Sequence, residues 1–219
     1  MEHTSTKYGY KPEHKQPFHL QKLSDEDFRM LLPLLESQPY INKVTSTDDS
    51  SMQTTHDLDS FRGVLWRSFV GNYVESYYKT FNIPYTAQDI ITPWLEVEPK
   101  PVAQVIIART LRHRDPNTET RWKQYVQLDD FDKAAVFIGH DDEYDDFVNR
   151  FSNRIPRYKP KDFLEMAQVI SGADHVISNG TFVYSLAQGL GISSSLETLK
   201  DRTLASNECY FNRPDCFYF

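Results

Sequence analysis

Cysteine is scarce in this chain: 219 residues hold two, Cys209 and Cys216, both near the C-terminus. A disulfide framework is therefore not indicated, and the two read as small buried hydrophobes. Long apolar runs are missing as well. No stretch approaches the ~18 apolar residues of a membrane-spanning helix, and the opening "MEHTSTKYGYKPEHKQPFHLQ" has no apolar signal core. A chain of this kind is expected to be soluble and cytoplasmic. Basic charge is in deficit, with 24 Lys and Arg against 31 Asp and Glu, a net charge of -7 and a pI near 5.5. That balance argues against a general nucleic-acid binder. There is no internal repeat, no P-loop, no Gly-x-Gly-x-x-Gly and no Gly-x-Ser-x-Gly. The seven histidines have no metal-ligand spacing, so no metal site is assigned.

Hydrophobic residues make up 39% of the chain, including 14 Phe and 13 Tyr, enough for a real core. Residues 1–22 read as a polar arm. In "LSDEDFRMLLPLLESQPYI", Ser24 is a helix N-cap with Asp27 three residues on, and Phe28, Leu31, Leu32 and Leu35 follow at helical spacing. A second, aromatic-rich helix is expected over Ser60–Phe81. The boundary falls near residue 100, giving a reduced, mainly helical region at 23–99 and a second unit at 100–219. In that unit "PVAQVIIAR", "KAAVFIGH" and "HVISN" read as strands apolar on both faces. Helices are expected in "DDEYDDFVNRF", "PKDFLEMAQVISGAD" and "TFVYSLAQGLG", the last closed by Gly189 or Gly191. Alternating apolar strands and helices imply an α/β class, with a Rossmann-like parallel sheet covered by helices. Ligands of such sheets bind beyond the carboxyl ends of the strands.

Those ends carry polar clusters. Arg109, Thr110, Arg112, His113 and Arg114 follow the first strand. Arg154, Arg157, Lys159 and Lys161 lie in "NRIPRYKPKDF", ahead of the next helix, and Asn179-Gly180-Thr181 follows the third strand. A helix N-terminus beside guanidinium groups suits a phosphate, and Gly180 lets an anion approach the backbone. The plainer reading stands beside it: solvated arginines, and a turn in which Asn179 or Thr181 caps a helix. Asp57-Leu58-Asp59 is a weak pattern for a cation bridging a nucleotide diphosphate.

The run "FLEMAQVISGADHVISNGTFVYSLAQGLGIS", with "DLDSFR", "PWLEVEP", "VIIART" and "VFIGHDDEYDDF", resembles the heptosyltransferase-like GT-B glycosyltransferases of bacteria and phages. The resemblance spans most of residues 25–219. It implies transfer of a sugar from a nucleotide-diphosphate-sugar donor to a hydroxyl acceptor, with that donor as substrate and no bound cofactor or metal. It also implies that Arg109, with Arg112 beside it, meets the donor diphosphate. Asn179, Gly180 and Thr181 hold phosphate or sugar, and Arg157, Tyr158 and Lys159 lie where base and ribose dock. Asp57 or Asp59 then takes the acceptor proton.

Two features depart from the pattern. The N-terminal half lacks an opening βαβ unit, and Gln188 stands where Glu is frequent. The alternative is therefore a non-catalytic nucleotide-sugar-binding or interaction protein derived from the same fold. The aromatics of the short N-terminal half leave room for a second copy or a partner chain that completes it.

Overall fold

The computed structural model describes residues 24–47, 55–56, 58, 72–111, 114–152, 154–198, 211 and 213–219. Helix α1 spans Asp25–Glu36. Its cap is the one the sequence announces: the Asp27 amide donates to Ser24 Oγ at 3.0 Å, and Ser24 Oγ donates to the Asp27 carboxylate at 2.6 Å. Of the helix expected over Ser60–Phe81, the described part is α2, Tyr73–Thr80, opened by a reciprocal Asn72–Glu75 capping box. A short α3, Ala87–Ile91, follows.

The sheet begins with β1, Val105–Ala108. Then come α4 (Glu119–Val126), α5 (Phe131–Ala134), β2 (Ala135–Phe137), α6 (Asp141–Arg150) and α7 (Phe163–Ser171). The described chain closes with β3 (His175–Ser178), α8 (Phe182–Leu190), β4 (Ser194–Leu196) and β5 (Cys216–Tyr218). All pairings are parallel, in the order β2-β1-β3-β4-β5. A sixth position extends the β2 edge. The Phe137 amide donates to Pro156 O at 2.8 Å and the Tyr158 amide to Phe137 O at 2.9 Å, so Arg157 bridges β2 in parallel. Counting that segment, the six positions read 3-2-1-4-5-6 in chain order, the order of a doubly wound Rossmann-like sheet.

Strand alternation sends successive residues to opposite faces. Ile106, Ala108 and Val176 pack beneath α7 and α8, with Ala167, Ile170, Val183 and Leu186. Ile107, Phe137 and Ile177 pack on the other face against Trp122 of α4 and Phe147 of α6. Gly191, at φ 72°, ends α8, and a Cβ there would meet Pro93 Cγ at 2.6 Å. Gly189 lies inside the helix, where its carbonyl accepts from the Trp94 and Leu95 amides at 2.8 and 2.9 Å.

Helix α1 lies before the boundary expected near residue 100, yet Leu34 and Leu95 belong to the core beneath α7 and α8. The buried Gln38 amide secures this arrangement. Its Oε1 accepts from the Glu96 amide at 3.0 Å, and its Nε2 donates to Leu34 O at 3.0 Å. Leu34→Ala should therefore cost about 2–5 kcal/mol, as a core truncation does. Urea unfolding checks this; a loss under about 0.5 kcal/mol, typical of a surface site, would detach α1 from the core.

Candidate functional site

The parallel sheet brings most of the residues singled out in the sequence to its carboxyl edge. Arg109 and Thr110 follow β1, Asn179, Gly180 and Thr181 follow β3, and Tyr158 and Lys159 follow the bridge beside β2. The strand order reverses between β1 and β3, where crevices open in such sheets. Arg112, Asp57 and Asp59 lie outside the described residues. Among the described residues no group of three His, Cys, Asp or Glu side chains is placed to hold a metal ion, and no helix is long and apolar enough to cross a membrane.

Arg109 turns inward. Its residue is 2% exposed, and its guanidinium donates to Glu197 through Nε at 2.8 Å and Nη2 at 2.9 Å. Glu197 follows β4 and is itself 3% exposed. It also accepts from the Asp115 amide at 3.0 Å, from Thr118 Oγ1 and from Trp122 Nε1 at 2.9 Å. The guanidinium lies 5.6 Å from the Trp122 ring and 5.2 Å from the Phe151 ring, within cation–π range. Arg109 Nη1 is buried with no hydrogen-bond partner among the described residues, so this desolvated pair rests on the bonds from Nε and Nη2 and on the further donors that Glu197 collects. Its role in the described structure is to lock the ends of β1 and β4 to the segment leading into α4. Glu197 carries no motif that would reveal this in the sequence, because its partners lie 75–88 residues away.

Asn179 is fully buried and spans the reversal point. Its Oδ1 accepts from the Thr110 amide and its Nδ2 donates to Thr110 O, both at 2.9 Å. The side chain thus continues the β1–β3 ladder by one rung. Thr181 is the N-cap of α8, its Oγ1 accepting from the Tyr184 amide at 3.2 Å. Gly180 sits between the two, half-buried. At Phe182 and Val183, in the first turn, the amides have no carbonyl within the helix to bond.

The β2 side of the edge is charged. Asp141, at the start of α6, pairs with Lys159 at 2.8 Å and with Arg157. These two partners, the Lys159 hydrogen bond foremost, hold the Asp141 carboxyl down at about 2. Arg157 also donates to Gly139 O at 2.6 Å and lies 5.6 Å from the Tyr144 ring. Tyr158 Oη donates to Glu165 at 2.9 Å, and Lys100 Nζ donates to both Glu165, at 2.6 Å, and Tyr158, at 3.0 Å. The Lys100 contact, with help from the Lys161 amide and Tyr158, holds the Glu165 carboxyl at about 2. An open groove of about 510 Å³ lined by Val102, Gln104, Lys133 and Asp174 lies at the opposite, amino edge. Gln188, where an acidic residue would carry charge, is buried and donates to Ser194 Oγ at 2.8 Å.

Comparison of the chain with protein-family models, curated proteins and solved structures found no match.

Two predictions follow from this geometry. Glu197→Ala leaves Arg109 buried without its partner and should cost about 3–5 kcal/mol. Chemical denaturation measures this, and a change under 1 kcal/mol would contradict the central role of the pair. Asp141 is depressed in the folded state, so its contribution is in place above the ordinary carboxylate value of ~3.9 and is lost as pH falls through about 2. An NMR carboxyl titration should find its midpoint near the lower value in the native chain and higher in Lys159→Ala; an unchanged midpoint would remove Lys159 as the cause.

Proposed function

We propose that the chain is a glycosyltransferase-like protein of the GT-B, heptosyltransferase-like type, and that its Rossmann-like unit binds a nucleotide-diphosphate-sugar. The observation that carries this reading is the reversal of strand order between β1 and β3, with the Gly180-Thr181 turn and the start of α8 at that point. An anion seated there meets the Phe182 and Val183 amides and the positive end of the helix. Thr181 Oγ1 adds a hydroxyl, and no side chain at Gly180 obstructs the approach. Tyr158 and Lys159, farther along the same edge, suit the base and ribose. The leaving diphosphate would be stabilised electrostatically by these fixed donors, and a hydroxyl acceptor would take the sugar. The residue accepting its proton is assigned on sequence alone, to Asp57 or Asp59.

Arg109 supports this site from within, by fixing the end of β1. Its engagement with Glu197 is also what favours the second reading, a nucleotide-sugar-binding protein without transfer activity. The arginine expected on the diphosphate already gives two of its nitrogens to a buried carboxylate. In either reading a partner chain or a second copy would complete the acceptor side.

A thermal-shift panel of UDP-, GDP-, ADP-, CMP- and dTDP-sugars tests the proposal. At ~100 times its dissociation constant a ligand should stabilise the fold by about 2.7 kcal/mol. Among the described glycines only Gly191 has a positive φ, so Gly180→Val should fold normally while its branched side chain obstructs the anion. The expected result is a shift with one nucleotide in the native chain and none in the variant. Absence of a shift with every donor would sink the proposal. A shift without release of sugar to any acceptor would select the binding-only reading.

A further inference from the structure

A second, partly buried polar network lies at the amino end of the sheet and shares no residue with the candidate site. His175 opens β3, and its ring reaches across to β4: Nδ1 lies 2.8 Å from Ser193 Oγ and Nε2 lies 2.9 Å from Ser195 Oγ. The proton inventory sets the direction of both bonds. Ser193 Oγ gives its single proton to Asp215 O at 3.0 Å, in the turn before β5. It can therefore only accept from the ring, so Nδ1 carries the hydrogen. Nε2 is then a bare acceptor and takes the Ser195 proton, while Tyr125 Oη of α4 donates to Ser195 Oγ at 3.4 Å. The result is one chain of donors running from α4 through β4 and β3 to the β5 turn, complete only when the imidazole is neutral.

We propose that His175 is an acid-sensitive latch that holds the β4–β5 edge of the sheet to β3. Protonation at Nε2 sets an N–H against the Ser195 hydroxyl, which must turn its own proton away, and places a charge between strands. The other groups facing the ring are few among the described residues. Asp215 lies on the β5 side and is tied to Arg213 at 2.6 Å, and the Phe217 ring stands 6.2 Å away. Asp215 favours the charged form, but burial is the larger effect and holds His175 below its ordinary value. The folded sheet thus keeps the neutral ring, whereas the unfolded chain binds the proton near 6.5. Stability from the latch is full above that value and falls as pH drops through it toward the depressed one. Because Glu197 directly follows β4, loosening this edge also loosens the anchor of Arg109.

Amide hydrogen exchange at pH 7 and pH 5, expressed as protection factors to remove the intrinsic pH effect, tests the latch. The expected result is a loss of protection over 194–198 and 216–219 at the lower pH, with β1 unchanged. His175→Gln keeps a donor and an acceptor but cannot titrate, so its edge should hold equal protection at both pH values. No loss in the native chain, a loss shared equally by β1, or a loss that persists in His175→Gln would overturn the proposal. If that variant does not fold, the His175 ring titration in the native chain decides: a midpoint below 6.5 that coincides with the loss supports the latch, and one at or above 6.5 overturns it.

Discussion

The Arg109–Glu197 pair is the constraint on which the carboxyl edge of this sheet depends. Two charges removed from water are costly unless each finds well-aimed partners. Here one carboxylate collects donors from Arg109, Asp115, Thr118 and Trp122. That set draws together the ends of two strands that are not neighbours, β1 and β4, with the Asn179 rung to Thr110 between them. The loop after β1 is fixed at both of its ends by side chains. The start of α8 then stands beside strand ends held by buried side chains, and preorganised donors are what an anion site requires.

This arrangement divides the labour at the edge. Buried polar groups, Arg109, Glu197 and Asn179, hold shape. The Asp141–Lys159 pair is exposed and worth little to stability, and Lys100, though it pairs with the half-buried Glu165, is itself exposed. The same logic governs the amino end, where buried Ser195 and half-buried His175 and Ser193 join β3 to β4 through hydroxyl and imidazole groups rather than apolar contacts.

Much of this was legible in the sequence, and the rest was hidden for physical reasons. The Ser24 cap, the apolar strands β1, β2 and β3 and the helices α6, α7 and α8 follow from local pattern, and all are present. Strand β4 is not legible, because Ser194-Ser195-Leu196 has neither apolar alternation nor β-branched residues. Its serines are buried because His175 and Gln188 satisfy them, a fact of tertiary contact. Helix α4 is largely polar and is fixed by Trp122, whose indole meets a carboxylate 75 residues away. Arg109 read as a ligand contact for the same reason: a single sequence places an arginine at a strand end but not the glutamate opposite it. The two-unit division near residue 100 followed from composition, which could not register that Leu34 joins the core of the sheet.

The central claim is that the carboxyl edge at the β1–β3 reversal binds a nucleotide-diphosphate-sugar. Chemical-shift mapping of the backbone amides during titration with the nucleotide-sugar panel tests it most directly. Perturbations concentrated at Thr110, Tyr158, Lys159 and Gly180 through Val183 are expected. Perturbations confined to the groove of Val102, Gln104, Lys133 and Asp174 at the amino edge, or none with any donor, would contradict it.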